Sequence, residues 1–108
     1  MICSPSNPTG AAYSWNELRS LADVLLRHPH VHVLTDDVYE HLIFDSHKFA
    51  TLAQVEPKLF GRTVTCNSVS KAYSMTGFRC GYAGGPKEII AKMSNMQSQS
   101  TAGVSAIG

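Results

Sequence analysis

The sequence has no excess of either charge: nine Lys and Arg stand against eight Asp and Glu in 108 residues. No basic surplus calls for nucleic acid, and no acidic tract supplies a solvating arm. No apolar run approaches the length that a membrane span requires. The N-terminus lacks a basic segment followed by an apolar one, so no secretory leader is expected. Internal repeats, low-complexity tracts and linkers are absent. Cys3, Cys66 and Cys80 are an odd number of cysteines without C-x-x-C spacing, which fits reduced thiols in a cytoplasmic protein. His28, His30 and His32 span a helix end, Pro29 and a strand start, so with His41 they are not expected to converge, and no metal site is expected. What remains is an ordinary globular composition, 44% hydrophobic. The length allows one domain with a modest core and is too short for two.

Local signals give an α/β order. Met1 to Cys3 reads as the end of a short strand running into the loop from Pro5 to Gly10. Ser14 and Glu17 form the S-x-x-E capping box of a helix. Leu18, Leu21, Val24 and Leu25 give that helix one apolar stripe, and Pro29 ends it. Val31 to Thr35 is short, apolar and β-branched, which predicts a strand with Asp36 and Tyr39 just beyond its end. Residues 44–62 predict a loop with a short helix. Thr63 to Asn67 predicts a second buried strand, 68–77 a loop, and Cys80 to Gly84 a third strand. Gly85-Pro86 predicts a helix start, with Ile89, Ile90, Met93 and Met96 as its apolar face. Met75, Met93 and Met96 are expected as core filler, and 97–108 as irregular chain. The chemistry-bearing residues fall beyond strand C-termini, where open α/β sheets place ligands.

One segment carries chemistry: Ser68-Val69-Ser70-Lys71-Ala72-Tyr73-Ser74-Met75-Thr76-Gly77-Phe78-Arg79. A lysine that attacks a carbonyl needs little crowding and a neighbourhood that lowers its pKa. Hydroxyls and a guanidinium are what a bound phosphate asks for. Together they point to a phosphorylated aldehyde held on Lys71, and pyridoxal 5′-phosphate (PLP) is the cofactor that fits. Taken alone, the segment also fits a solvated Ser/Lys/Thr/Gly surface loop.

Two further segments narrow the choice: Ser6-Asn7-Pro8-Thr9-Gly10 upstream and Leu34-Thr35-Asp36-Asp37-Val38-Tyr39-Glu40 between. All three in this order resemble the fold-type I PLP enzymes, specifically the class I aminotransferases. The Met75 to Arg79 run looks most like their aspartate and aromatic aminotransferase branch. Cys80 departs from the aliphatic residue usual there. The resemblance covers nearly the whole chain, yet such enzymes are several times longer. Residues 1–108 are therefore expected to be part of the large, cofactor-binding domain of a three-layer α/β fold, with a mostly parallel sheet flanked by helices and no second domain. The strand at Cys80 to Gly84 is expected to run antiparallel by the same resemblance.

The resemblance also implies roles. Lys71 would form the Schiff base and then carry a proton between the substrate Cα and the cofactor. Asp36 would hold the pyridine nitrogen protonated, which makes the ring an electron sink. Asp37 stands where the family commonly has Glu, and read alone the Asp pair also fits a helix N-cap. Asn7 and Tyr39 would donate to the phenolic oxygen. Ser68, Ser70 and Arg79 would bind the phosphate. The implied reaction moves an amino group from an amino acid to a 2-oxo acid in a homodimer whose interface lies near 97–108. A sensory domain of a regulator and a related PLP-dependent lyase are the alternatives. The turn, stacking aromatic and α-carboxylate arginine of the family have no counterpart here, so the isolated chain is expected to be a poor catalyst at best.

Overall fold

A computed structural model of the chain describes residues 1–100 and 103–105. Its elements run β1 (Ile2–Cys3), α1 (Trp15–Leu26), β2 (Val33–Asp36), α2 (Leu52–Val55), a 3-10 helix (Pro57–Arg62), β3 (Thr63–Ser68), a 3-10 turn (Thr76–Phe78), β4 (Gly81–Gly84) and α3 (Lys87–Ser100). The four strands form one sheet in the order β1-β2-β3-β4. The first three are parallel and β4 is antiparallel to β3. The α/β class and the direction of the last strand are as expected.

Helix α1 begins where its local chemistry dictates. Ser14 N–H donates to Glu17 Oε2 at 2.8 Å and Glu17 N–H donates to Ser14 Oγ at 3.4 Å, which completes the capping box. The Ser14 N–H and the Ser14 hydroxyl, which donates at 2.7 Å, both bond to Glu17 Oε2 and hold its carboxyl below its usual range. At the other end, Arg62 adds a side-chain donor to three carbonyls, two of which already accept a backbone N–H. Its guanidinium donates to Leu25 O at 2.6 Å, His28 O at 2.9 Å and Val31 O at 2.5 Å. Arg19 ties α1 to the 3-10 helix through Glu56 at 2.6 Å.

The core lies on one face of the sheet. Leu18 and Ala22 of α1 meet Val33, Ala50, Leu52, Val55 and Leu59, with Ile2, Leu25 and Leu26 packed against them. Each fully buried leucine stabilises this layer by about 1.5–3 kcal/mol. Side chains alternate along a strand, and the Thr35–Thr65 hydroxyl bond of 3.0 Å marks the residues sharing a face with Val33. Leu34, Asp36, Cys66 and Ser68 therefore belong to the opposite face, where Leu34 is exposed.

Four expectations are corrected. Strand β2 starts at Val33 rather than Val31, because the Val31 N–H closes a turn onto His28 O and its carbonyl is bound by Arg62. Asp36 is consequently the last residue of the strand, paired with Cys66, and not beyond it. Residues 97–100 are helical: Ser98 and Ser100 bond their hydroxyls back to Asn95 O and Met96 O, and no Gly or Pro intervenes before Gly103. The rest of the stretch expected to be irregular lies partly outside the described residues. Met93 and Met96 are 41% and 72% exposed and are not core, since α3 has no buried residue.

Gly85 joins β4 to α3 where there is no room for a side chain. A Cβ there would lie 3.0 Å from Thr63 O and 3.1 Å from Val64 Cγ2.

Candidate functional site

Seven residues lie at or shortly beyond strand ends that the topology brings to one edge of the sheet. Cys3, Asp36 and Cys66 lie side by side across the three parallel strands. Asn7 follows β1, Tyr39 follows β2, and Ser70 and Lys71 follow β3. Ser68 and Asp36 are the last residues of their strands. Because β4 is antiparallel, its start lies at the same edge: Ser68 pairs with Gly81, and Val69 N–H donates to Cys80 O at 3.2 Å. Arg79 comes two residues before Gly81, on the same loop as Ser70 and Lys71. Neighbouring strands stand about 4.8 Å apart, so the four strand ends span roughly three such spacings.

Each loop is shaped locally. The loop after β1 closes through Gly10 N–H to Ser6 O at 2.7 Å and Ser6 N–H to Ala11 O at 2.9 Å. Gly10 has φ +71°, a conformation that glycine adopts without penalty. A cavity of about 240 Å³ between this loop and the one after β2 is lined by Asn7 and Tyr39 together with Leu42 and Phe44. After β2, Glu40 N–H donates to Asp37 O and Leu42 N–H to Tyr39 O, both at 2.9 Å. This is a pair of turns and not a helix, so the reading of the Asp pair as a helix N-cap is corrected.

The two aspartates are sorted by the faces of the sheet. Asp37 is 5% exposed and hydrogen-bonds the Thr35 side chain, on the side covered by the core helices. Burial first, then the charges of Glu40 and Asp36, push its pKa up to about 6. Asp36 sits on the opposite, open face, with its Oδ1 accepting from Val38 N–H at 3.3 Å. Cys66 shares that face, and its thiol pKa is raised by burial and by the two aspartates.

The loop after β3 starts with Ser68 Oγ accepting from Ser70 N–H at 3.2 Å. Lys71 is exposed, and so is Arg79, which has φ +53° and donates to Thr76 O at 3.0 Å. Among the described residues no hydrogen bond links Asn7, Tyr39, Lys71 and Arg79 to one another. They share an edge and keep their polar ends for other partners. Glu40 and Asn67, which the sequence reading passed over, join the β2 turn to β3 through a 2.6 Å bond. An asparagine in a strand, where that residue is depleted, was the available signal. Among the described residues no group of three or more His, Cys, Asp or Glu side chains converges as a metal set.

A carboxylate, an amine, hydroxyls and a guanidinium gathered past the ends of parallel strands are the mark of an α/β ligand-binding domain. The comparisons make this specific. The chain belongs to the aminotransferase class I and II family, whose model matches residues 1–108. It is 62% identical over 98 residues to an aspartate/prephenate aminotransferase of Cereibacter sphaeroides, covering 91% of this chain and 24% of that protein. The crystal structure of the aspartate aminotransferase from Rhizobium meliloti superimposes with a TM-score of 0.91 at 59% identity, covering 94% of this chain and 25% of that one. A PLP-bound putative aminotransferase from Clostridium difficile 630 superimposes with a TM-score of 0.81 at 26% identity, covering 91% and 25%. The chain thus spans about a quarter of the length of the relatives it matches.

Proposed function

We propose that this chain is part of the large, cofactor-holding domain of a PLP-dependent aminotransferase, which transfers an amino group from an amino acid to a 2-oxo acid. The observation that carries the reading is topological: the loops bearing Asn7, Tyr39, Ser70, Lys71 and Arg79 leave the same edge of the sheet at which the strands of Asp36 and Ser68 end. The donor set fits the cofactor group by group. Arg79 with the Ser68 and Ser70 hydroxyls suits a phosphate dianion. The open-face carboxylate of Asp36 suits a protonated pyridine nitrogen, and Asn7 and Tyr39, which line one cavity, suit a phenolic oxygen. Lys71 would hold the aldehyde carbon covalently.

When bound, PLP supplies an aldehyde that takes up the amino group and a protonated ring that accepts electron density from the substrate Cα. The chain's own residues do the rest. Asp36 keeps a proton at the ring nitrogen, and Asn7 and Tyr39 orient the ring by hydrogen bonding. The phosphate contacts would fix register, and Lys71 Nζ would take the proton from the substrate Cα and deliver it to the cofactor's aldehyde carbon. The names of the relatives make aspartate the first amino donor to test, and the acceptor a 2-oxo acid. The exposed Trp15, Leu34, Phe44 and Met96 support association with further protein, a homodimer in the whole enzyme. No described helix is long and apolar enough to cross a membrane. The three free thiols support a cytoplasmic setting.

The test is a half-reaction. The full-length parent loaded with PLP should lose its characteristic near-ultraviolet or visible absorbance when aspartate is added, and regain it with a 2-oxo acid. An absorbance that no amino acid alters would exclude transamination.

A further inference from the structure

We infer that Glu40 is a positioning residue for the Lys71 loop, acting through Asn67; the inference rests on the proposed role of Lys71. The loop between β3 and β4 closes around the lysine through Met75 N–H to Ser70 O at 3.1 Å, and its other two backbone bonds there are long: Tyr73 N–H to Val69 O at 3.3 Å and Ser74 N–H to Lys71 O at 3.4 Å. Bonds of that length lie past the usual range and hold weakly. The Met75–Ser70 closure joins the loop only to itself, so the position of Lys71 relative to Asp36 and Tyr39 also depends on what grips the loop from outside.

Two contacts grip it, one on each side of Lys71. Before the lysine, Glu40 Oε1 accepts from Asn67 Nδ2 at 2.6 Å, and Asn67 Oδ1 accepts from Ser68 N–H at 2.7 Å. After it, the His41 ring packs edge-on to Tyr73, centroids 6.0 Å apart. His41 Nε2 lies 3.4 Å from the same Glu40 oxygen. One carboxylate oxygen is common to both contacts.

The place of the first contact matters. The β2–β3 ladder ends at Asp36 and Cys66, and Asp37 N–H to Cys66 O adds one last bond. Asn67 and Ser68 have no β2 partner, and Glu40 takes over where β2 stops. It carries the junction between the Asp36–Tyr39 segment and β3 two residues further, toward Lys71. The residue types suit this task. A carboxamide offers a donor toward Glu40 and, on a separate atom, an acceptor toward the Ser68 amide at once. A displacement of the amine by about 1 Å costs on the order of a hundredfold in rate, so slack at this junction would be felt at the substrate Cα.

The test uses the full-length parent with Asn67→Asp, Glu40→Gln, Glu40→Ala and the double variant Glu40→Gln/Asn67→Asp. Asn67→Asp sets a carboxylate against the Glu40 carboxylate. Glu40→Gln keeps an acceptor oxygen. The double variant reverses donor and acceptor, restoring the bond without changing net charge. One readout needs no cofactor: deuterium uptake of residues 66–75, by mass spectrometry of the PLP-free protein. The other is kcat and KM of the half-reaction. Asn67→Asp and Glu40→Ala should speed uptake over 66–75 and lower kcat by about tenfold to a hundredfold, with KM within about threefold. Glu40→Gln should stay near the parent, and the double variant should recover most of the loss. If Asn67→Asp does not fold, Glu40→Ala carries the same expectation, since Glu40 is partly exposed. Parent-like uptake and kcat in Asn67→Asp or Glu40→Ala, or no recovery in the double variant, would overturn the inference while leaving Lys71 in its role. Borohydride labelling of a different lysine in the parent would overturn the role of Lys71 itself, and the inference with it.

Discussion

Asp37→Asn replaces a carboxyl group that the fold holds at a disadvantage. Burial and the neighbouring Glu40 and Asp36 push the Asp37 pKa from an ordinary 3.8 to about 6, against the opposing hydrogen bond from Thr35. Between these values the unfolded chain has released a proton that the folded chain still binds. Stability therefore falls as pH rises from about 4, and the loss is complete just above about 6. A difference of about two units corresponds to about 3 kcal/mol. Asparagine cannot ionise, and its side-chain oxygen can still accept from Thr35. Its advantage over the parent should grow from about 1 kcal/mol near pH 4.5 to about 3 kcal/mol near pH 8. The assay is the urea midpoint of the PLP-free full-length protein across that range, where cofactor binding adds no stabilisation of its own. A variant less stable than the parent near pH 8, or a difference that does not change with pH, would refute the reasoning.

Gly85→Ala should destabilise the protein by about 1–3 kcal/mol, read as a lowered Tm, because the added Cβ would meet the Thr63 carbonyl at 3.0 Å and backbone cannot yield as a flexible side chain would. A Tm equal to the parent's would show that the junction of β4 and α3 can give. Asp36→Ala and Arg79→Ala should fail in different ways. The first should keep PLP attached yet slow the half-reaction greatly at saturating PLP. The second should weaken PLP retention through the loss of charge-assisted bonds worth about 1.5–3 kcal/mol each, with less effect once PLP saturates. Half-reaction rates titrated against PLP separate the two, and equal behaviour of both variants would remove the distinction between ring and phosphate partners.

Where the determining contacts are local, the sequence was legible. Helix α1 starts at its capping box because Ser14 and Glu17 are three residues apart and settle the matter between them. The three segments bearing Asn7, Asp36 and Lys71 were readable as a set through family resemblance, and so was the antiparallel β4. Spacing alone could not give its direction. What escaped depends on long-range partners. Strand β2 begins late because Arg62, distant in sequence, holds the Val31 carbonyl. Asp36 and Asp37 are neighbours whose fates divide only when Thr35 and the core helices claim one face of the sheet. The Glu40–Asn67 bond joins segments 27 positions apart, and an asparagine in a strand was its one local hint. Helix α3 runs on to Ser100 because no Gly or Pro stops it before Gly103; its serines turn their hydroxyls back to their own helix, although their polar composition reads as loop.

The most direct test of the account is covalent. The full-length parent, loaded with PLP, reduced with borohydride and digested, should carry the cofactor's mass on the peptide containing Lys71, at that residue. Recovery of the label on Lys87, Lys92 or a lysine outside these residues would contradict the assignment of the whole sheet edge.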